Sequence, residues 1–421
     1  MIPTRALPDL LAAERGLARI DVLLRDEARA RRHACDAARR SVLALATLDG
    51  TLVDPEDLLL ALVSPEEVEL PRRADAATTV GMYRLLLALR NGLTPFIDAP
   101  TEAPEDARLR PATMAAWSAL TAETRRLLAE VEAVLHQDED VPEPVADCRK
   151  PLPPWSVPWV EEIHARWHEA RNGRRPPPWG GEQRSIAQEG LRIVDEALAV
   201  DPGLVGAVRA LHRLHYAREF PTGSLPVRAG EDERSQAIRT YMANQPSAGW
   251  WPQFARIVAP QLIARACRLE RVWIPLTAYW GRDYTGYRLG IGGSEEDWVA
   301  ATARLIADAA EREAERSERI EARHAGWIEA TAVVPRLPKA RKDTLGPTRR
   351  QRAGTRRSTG RLPRLLDLLW EQPVVRARTV EARLAMTYRS ALDLIEDLEK
   401  AGVLRLATDR KLDRLWRAAV V

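Results

Sequence analysis

The sequence predicts a mainly α protein, a helical body followed by a C-terminal winged helix-turn-helix. Three observations carry that prediction. Apolar residues recur at helical spacing through most of the chain, the last sixty residues read as three short helices and a two-stranded wing, and positive charge is segregated to the C-terminal side. Residues 331–421 hold 21 Lys and Arg against 10 Asp and Glu, a net of +11, so residues 1–330 carry about −8 although the whole chain stands at only +3.

From the N-terminus, residues 9–46 fit one or two amphipathic helices, with Leu10, Leu11, Leu17, Ile20, Leu23 and Leu24 as the first stripe. Asp49-Gly50 ends them, and Asp54-Pro55 opens the next helix as a cap and first-turn pair. Residues 74–92 and 112–136 continue the pattern, which closes an N-terminal helical region at 1–136. Residues 137–160 are dense in proline and acid and form a connector.

A central helical domain over 161–330 follows, with helices expected at 159–171, 183–199, 202–219, 233–244, 250–269 and 273–280. Its last helix runs from Ser294, which Glu295, Glu296 and Asp297 follow as an N-terminal signature, with Trp298, Ala301, Leu305, Ile306 and Ala309 on the buried side. Ahead of it, Gly290, Gly292 and Gly293 suggest a turn able to offer backbone N–H groups to an anion, against the alternative of a plain structural turn.

Residues 331–360 contain nine basic residues and one acid among Gly, Ser and Thr, the composition of a flexible basic linker. Arg349, Arg350, Arg352, Arg356 and Arg357 are its expected phosphate contacts, and their neutralisation of backbone charge would make binding salt-dependent. Within 361–421, Leu362 to Trp370 forms the first helix, Thr379 caps a second through Leu384, and Thr387 caps a third that Gly402 stops. Val403 to Leu406 and Leu412 to Trp416 then alternate as a hairpin. The third helix would enter the major groove with Tyr388 and Arg389 near bases, while Arg376, Arg378, Arg383, Arg405, Arg410, Lys411 and Arg414 meet phosphate or the groove edge. Asp393, Glu396, Asp397 and Glu399 on the same helix should face protein or solvent.

Other chemistry finds little support. Cys35, Cys148 and Cys267 are widely spaced and odd in number, so neither a disulfide framework nor a cysteine zinc site is indicated. The pairs His164/His168 and His212/His215 lack the intervening carboxylate of a metalloprotease helix, and no metal or cofactor is expected. No run of eighteen apolar residues occurs, and the first residues lack a signal-peptide layout, so a soluble, cytoplasmic protein with no membrane partner is expected. Abundant arginine and alanine with scarce lysine point to a GC-rich bacterial source.

The segments ALATLDGTLVDPEDLLLAL and RLERVWIPLTAYWGRDYTGYRLGIGGSEEDWVAATARLIADAAEREAE, followed by a winged helix, give the chain a pattern that resembles the long bacterial form of the Fic/DOC superfamily. More closely, it resembles a Fic-like family found on alphaproteobacterial plasmids whose last domain is a helix-turn-helix. The resemblance implies an N-terminal inhibitory helix and a central domain that transfers AMP to protein hydroxyls. The catalytic His-Pro-Phe loop is absent: MANQPSAGWWPQFARIVAPQL stands in its place, and Asp49-Gly50 stands where the inhibitory Glu-Gly would be. The resemblance therefore transfers no catalytic residue. The expected function is double-stranded DNA binding by a transcriptional regulator, with a possible homodimer, on a dead Fic-like body. The alternatives are a protein-interaction scaffold in a toxin-antitoxin or defence system, or a divergent AMP transferase.

Overall fold

The computed structural model describes residues 6–51, 53–94, 151–218, 249–333, 361–407 and 414–419. The helices expected at 112–136 and 233–244, most of the connector and residues 334–360 of the expected linker fall outside them, while 331–333 belong to a helix. Two compact units result. The smaller spans Gly92–Pro154, and in its described part the Leu152 amide donates to the Leu93 carbonyl at 2.7 Å. The larger joins Met1–Asn91 to Trp155–Val421 and holds the helical body together with the C-terminal module.

The 9–46 stretch is two helices, α1 (Leu7–Leu23) and α2 (Glu27–Leu48). Asp26 opens α2 by accepting from the Arg29 amide at 2.8 Å, and Asp54 opens α3 (Pro55–Ala61) by accepting from Glu56 at 2.7 Å. A short 3₁₀ turn at Pro65–Glu67 leads into α4 (Leu70–Asn91). The body continues with α5 (Val157–Asn172), α6 (Gly181–Val200), α7 (Leu204–Leu214), α8 (Trp250–Ala266) and α9 (Leu276–Arg282).

Of the three glycines expected in a turn, only Gly293 lies outside a helix; Gly290 and Gly292 are helical. They end α10 (Tyr284–Gly292), capped by Asp283, whose carboxylate accepts from the Gly286 amide at 3.0 Å. Gly290 is small because a Cβ there would lie 3.0 Å from the Trp298 ring, so packing explains the residue without an anion.

The last body helix, α11 (Glu295–Val333), is 39 residues long. Ser294 and Asp297 cap it reciprocally: the Asp297 amide donates to the Ser294 hydroxyl at 3.1 Å, and that hydroxyl donates to the Asp297 carboxylate at 2.7 Å. Its first half lies along α1 so closely that a Cβ at Gly16 would stand 2.7 Å from the Ala310 methyl. Its middle buries an ionic network against α2. Glu313, fully buried, accepts two bonds from Arg40 at 2.8 and 2.7 Å, one from the Tyr279 hydroxyl at 2.7 Å and one from His33 at 3.0 Å.

Elsewhere, His215 is buried and His164 half-buried, and both are held neutral. Burial pushes His215 down to about 3; its Nε2 faces the Tyr287 hydroxyl at 2.8 Å and its Nδ1 the Leu211 carbonyl at 2.6 Å. His164 is pushed down to about 4 by burial among Trp167, Trp179 and Trp250, and by His168. Both folded-state values lie below the ordinary 6.5, so under that pH the unfolded chain takes up protons that the folded chain refuses. Stability should therefore fall by about 1.4 kcal/mol per pH unit per histidine as pH drops from 6.5. Urea midpoints at pH 7 and pH 5 check this, and equal midpoints would exclude it.

The C-terminal module has α12 (Arg361–Glu371), β1 (Val374–Val375), α13 (Ala377–Leu384), α14 (Tyr388–Lys400), β2 (Leu404–Leu406) and β3 (Trp416–Ala418). Thr387 caps α14 by accepting from the Ser390 amide at 3.3 Å, and Gly402, at φ 72°, ends the turn after it. Thr379 does not cap α13. That helix starts at Ala377, straight after β1, with the Val380 amide already donating to the Arg376 carbonyl at 3.1 Å. The sheet has order β1-β3-β2, both pairs antiparallel, with Val375 and Leu406 flanking Trp416. The first wing strand lies where the sequence predicts it, but the second begins only at Trp416 rather than running from Leu412 to Trp416, and β1 adds a third strand beside it.

Candidate nucleic-acid interface

A small apolar core sets the C-terminal module. Leu365, Leu366 and Leu369 of α12, Val380 of α13, Ala391, Ile395 and Leu398 of α14, and Trp416 of β3 are all buried together. The spacing Ala391, Ile395, Leu398 puts one face of α14 inward and turns its first residues outward. Tyr388 is 44% exposed, and Thr387 and Arg389 are also exposed. Arg389 has no ion pair among the described residues.

The expected contacts divide into three groups. Arg378 on α13, Tyr388 and Arg389 on α14, Arg405 on β2 and Arg414 before β3 are exposed and carry no hydrogen bond or ion pair among the described residues. Arg376 and Arg383 are occupied: Arg376 reaches Glu66 of the body at 2.5 Å, and Arg383 reaches Glu371 at 2.5 Å. Arg410 and Lys411, like Arg349, Arg350, Arg352, Arg356 and Arg357, lie outside the described residues.

On α14, Glu399 accepts from the Trp416 indole at 3.2 Å, and Asp397 lies 4.0 Å from Lys400. Asp393 and Glu396 are half-buried. The negative charge of this helix therefore gathers away from its exposed first turn.

The module is also built onto the body. Trp370, 1% exposed, stacks near Trp327 of α11 with ring centroids 5.1 Å apart, its indole donates to His324 Nδ1 at 3.3 Å, and its carbonyl accepts from Arg39. Arg32, with a side chain 8% exposed, joins Glu321 of α11 at 2.6 Å and Asp367 of α12 at 3.0 Å. The Tyr83 hydroxyl donates to the Glu371 carbonyl at 2.8 Å. On the other flank Val374 and Leu415 cover Leu59 of α3, and Arg417 reaches Glu56 at 2.9 Å. These contacts use α12, β1, β3 and the start of α13, and leave the first turn of α14 open.

Sequence reasoning missed Arg417 and the body acids Glu56 and Glu66. Nothing local marks them, because each acquires its partner across more than 300 residues of chain. The valine pair of β1, between Pro373 and Arg376, was the available signal for a strand.

A family model described as an HTH DNA binding domain matches residues 362–417. No curated protein matches the chain. The matched residues coincide with the three helices and the sheet, so the C-terminal region is a winged helix-turn-helix similar to that DNA-binding domain. No described helix is long and apolar enough to cross a membrane, and no three His, Cys, Asp or Glu among the described residues gather as metal ligands.

Proposed function

We propose that this protein is a bacterial, cytoplasmic transcriptional regulator that docks α14 in the major groove of double-stranded DNA. The observation that carries the reading is the open first turn of α14, where Tyr388 and Arg389 stand exposed in a module similar to a DNA-binding domain. Arg389 is suited to a bidentate contact with a guanine edge, while Arg378, Arg405 and Arg414 supply phosphate contacts. Arg410 and Lys411 of the wing and the arginines of 349–357 would add to that charge. A homodimer on two half-sites fits the mode of binding.

In this reading the body is a Fic-like scaffold without transferase chemistry. Support comes from Asp49, which stands where the resemblance sets an inhibitory acid. Its carboxylate accepts from Arg171 at 3.0 Å, from Gln253, and from the buried Arg256 of α8 at 3.4 Å, the helix that occupies the place of the missing loop. A protein-contacting role for the winged helix draws on the neutralisation of Arg376 and Arg383 by Glu66 and Glu371.

The test compares the full chain and its Arg389→Ala variant on the chain's own upstream DNA and on an unrelated duplex across a salt series. Arg389→Ala should cost about 1–3 kcal/mol on the upstream DNA, and distinctly less on the unrelated duplex. Equal losses on both would remove base reading from Arg389. Absence of salt-dependent DNA binding by the full chain would favour the protein-contacting role. Point variants suit the question better than truncation after Ala330, because Ile320 and Trp327 of α11 pack into the winged-helix core and would be laid bare.

A further inference from the structure

Both acids of α12 are already paired, Asp367 with Arg32 and Glu371 with Arg31 and Arg383. Arg376 and Arg417 of the winged helix have Glu66 and Glu56 of the body. Against that matched set stand Arg361 and Arg364 on the first turn of α12, which make no ion pair among the described residues. Arg361 is half-buried and Arg364 exposed, and the single acid of α13, Glu381, forms no ion pair with either. Three and four residues apart on a helix are neighbours, so the two charges lie side by side and remain open to an anion.

Arg361 differs from the other unpaired arginines in how it is held. Its Nη2 donates to the Ala385 carbonyl at 3.2 Å. Ala385 is the left-handed residue, φ 47°, that closes α13, and the cap of α14, Thr387, follows two residues later. Tyr388 is three residues from Ala385, a span of at most about 11 Å. The guanidinium is thus fixed at the turn that leads into the exposed start of α14. That bond uses one of its five N–H donors and leaves the rest of a planar fork that suits a phosphate. Because the bond orders the side chain in advance, less rotamer freedom remains to be lost when an anion arrives.

We propose that Arg361 contacts a phosphate of the DNA strand bordering the groove that α14 enters, with Arg364 adding to the local positive potential. The inference rests on the DNA-binding reading above and extends it to a residue just ahead of the matched stretch 362–417. With the first turn of α14 in the major groove, the turn before it lies beside the sugar-phosphate backbone, and Arg361 is the cation bonded to that turn. A phosphate contact of this kind fixes where α14 sits and carries no sequence information, in contrast to Arg389.

The experiment measures binding of the full chain to its own upstream DNA and to an unrelated duplex across a salt series, for the parent, Arg361→Gln and Arg361→Lys. Arg361→Gln removes the charge and keeps an amide donor for the Ala385 carbonyl, whereas Arg361→Lys keeps the charge. Arg361→Gln should weaken both duplexes alike, by about fivefold to tenfold near 0.1 M salt, and should lower the slope of log affinity against log salt by about 1. Arg361→Lys should hold the parent's slope, and both variants should melt near the parent's temperature without DNA. Unchanged affinity and slope in Arg361→Gln, while the parent binds DNA, would overturn this role and leave the DNA-binding reading standing. A loss confined to the upstream DNA would also overturn it, because Arg361 would then act only by supporting the turn. A parent that binds neither duplex in a salt-dependent way would overturn the DNA-binding reading, and this role with it.

Discussion

Trp370→Ala is expected to lower the stability of the folded chain by about 3–5 kcal/mol, the usual range for deleting a large buried aromatic. Trp370 lies between two cores. It is 1% exposed, sits in the cluster that includes Leu365, Ile395 and Trp416 of the winged helix, and faces Trp327 and His324 of α11. Truncation opens a cavity at that junction and strips the His324 nitrogen of its indole donor. Trp370→Phe keeps most of the packing and should cost less. Urea denaturation followed by circular dichroism measures both, and a loss under about 1 kcal/mol for the alanine variant would show that the winged helix does not depend on this anchor.

Glu313→Ala should cost a similar amount, about 3–5 kcal/mol, for a different reason. The carboxylate is fully buried and gathers Arg40, His33 and Tyr279, and Arg40 in turn bonds Asp36, which also takes two bonds from Arg316 at 2.5 and 3.0 Å. Removing Glu313 leaves the guanidinium of Arg40, only 16% exposed, with half of its partners. Burial alone would raise the Glu313 carboxyl, yet the bond from His33 and the charge of Arg40 hold it down at about 2. Because the folded value lies below the ordinary 4.5, the network's contribution is complete above pH 4.5 and is lost as pH falls from there toward 2. That interval corresponds to about 3 kcal/mol. Glu313→Gln preserves size and removes the titration, so its stability should decline less between pH 5 and pH 3 than that of the parent. Parallel declines would place the acid sensitivity elsewhere.

The parts of this fold that were legible in the sequence are those written in local chemistry. Asp54-Pro55, Ser294 with Asp297, and Thr387 each announce a helix start, and each makes its capping bond. The alternation after Gly402 announced the first wing strand, while the second starts at Trp416, where the expected strand ends. What escaped depended on distant partners. The glycines around 290 read as a loop because the sequence does not show the Trp298 ring that requires a small neighbour. Arg376 and Arg389 look alike in sequence, yet one meets Glu66, 310 residues away along the chain, and the other remains exposed. Thr379 offered a plausible cap, but β1 pairs with β3 and delivers the chain to Arg376 already poised for a helix.

The long helix α11 touches α1 and α7 at one end and the winged-helix core at the other. At 39 residues it is a single strut about 58 Å long, far beyond the three or four turns common in such bodies. A strut of that length, bonded midway to α2 through Glu313, Arg316 and Glu321, carries the body's packing out to Trp327. The seat beneath Trp370 is therefore set by residues about 40 Å away along one helix.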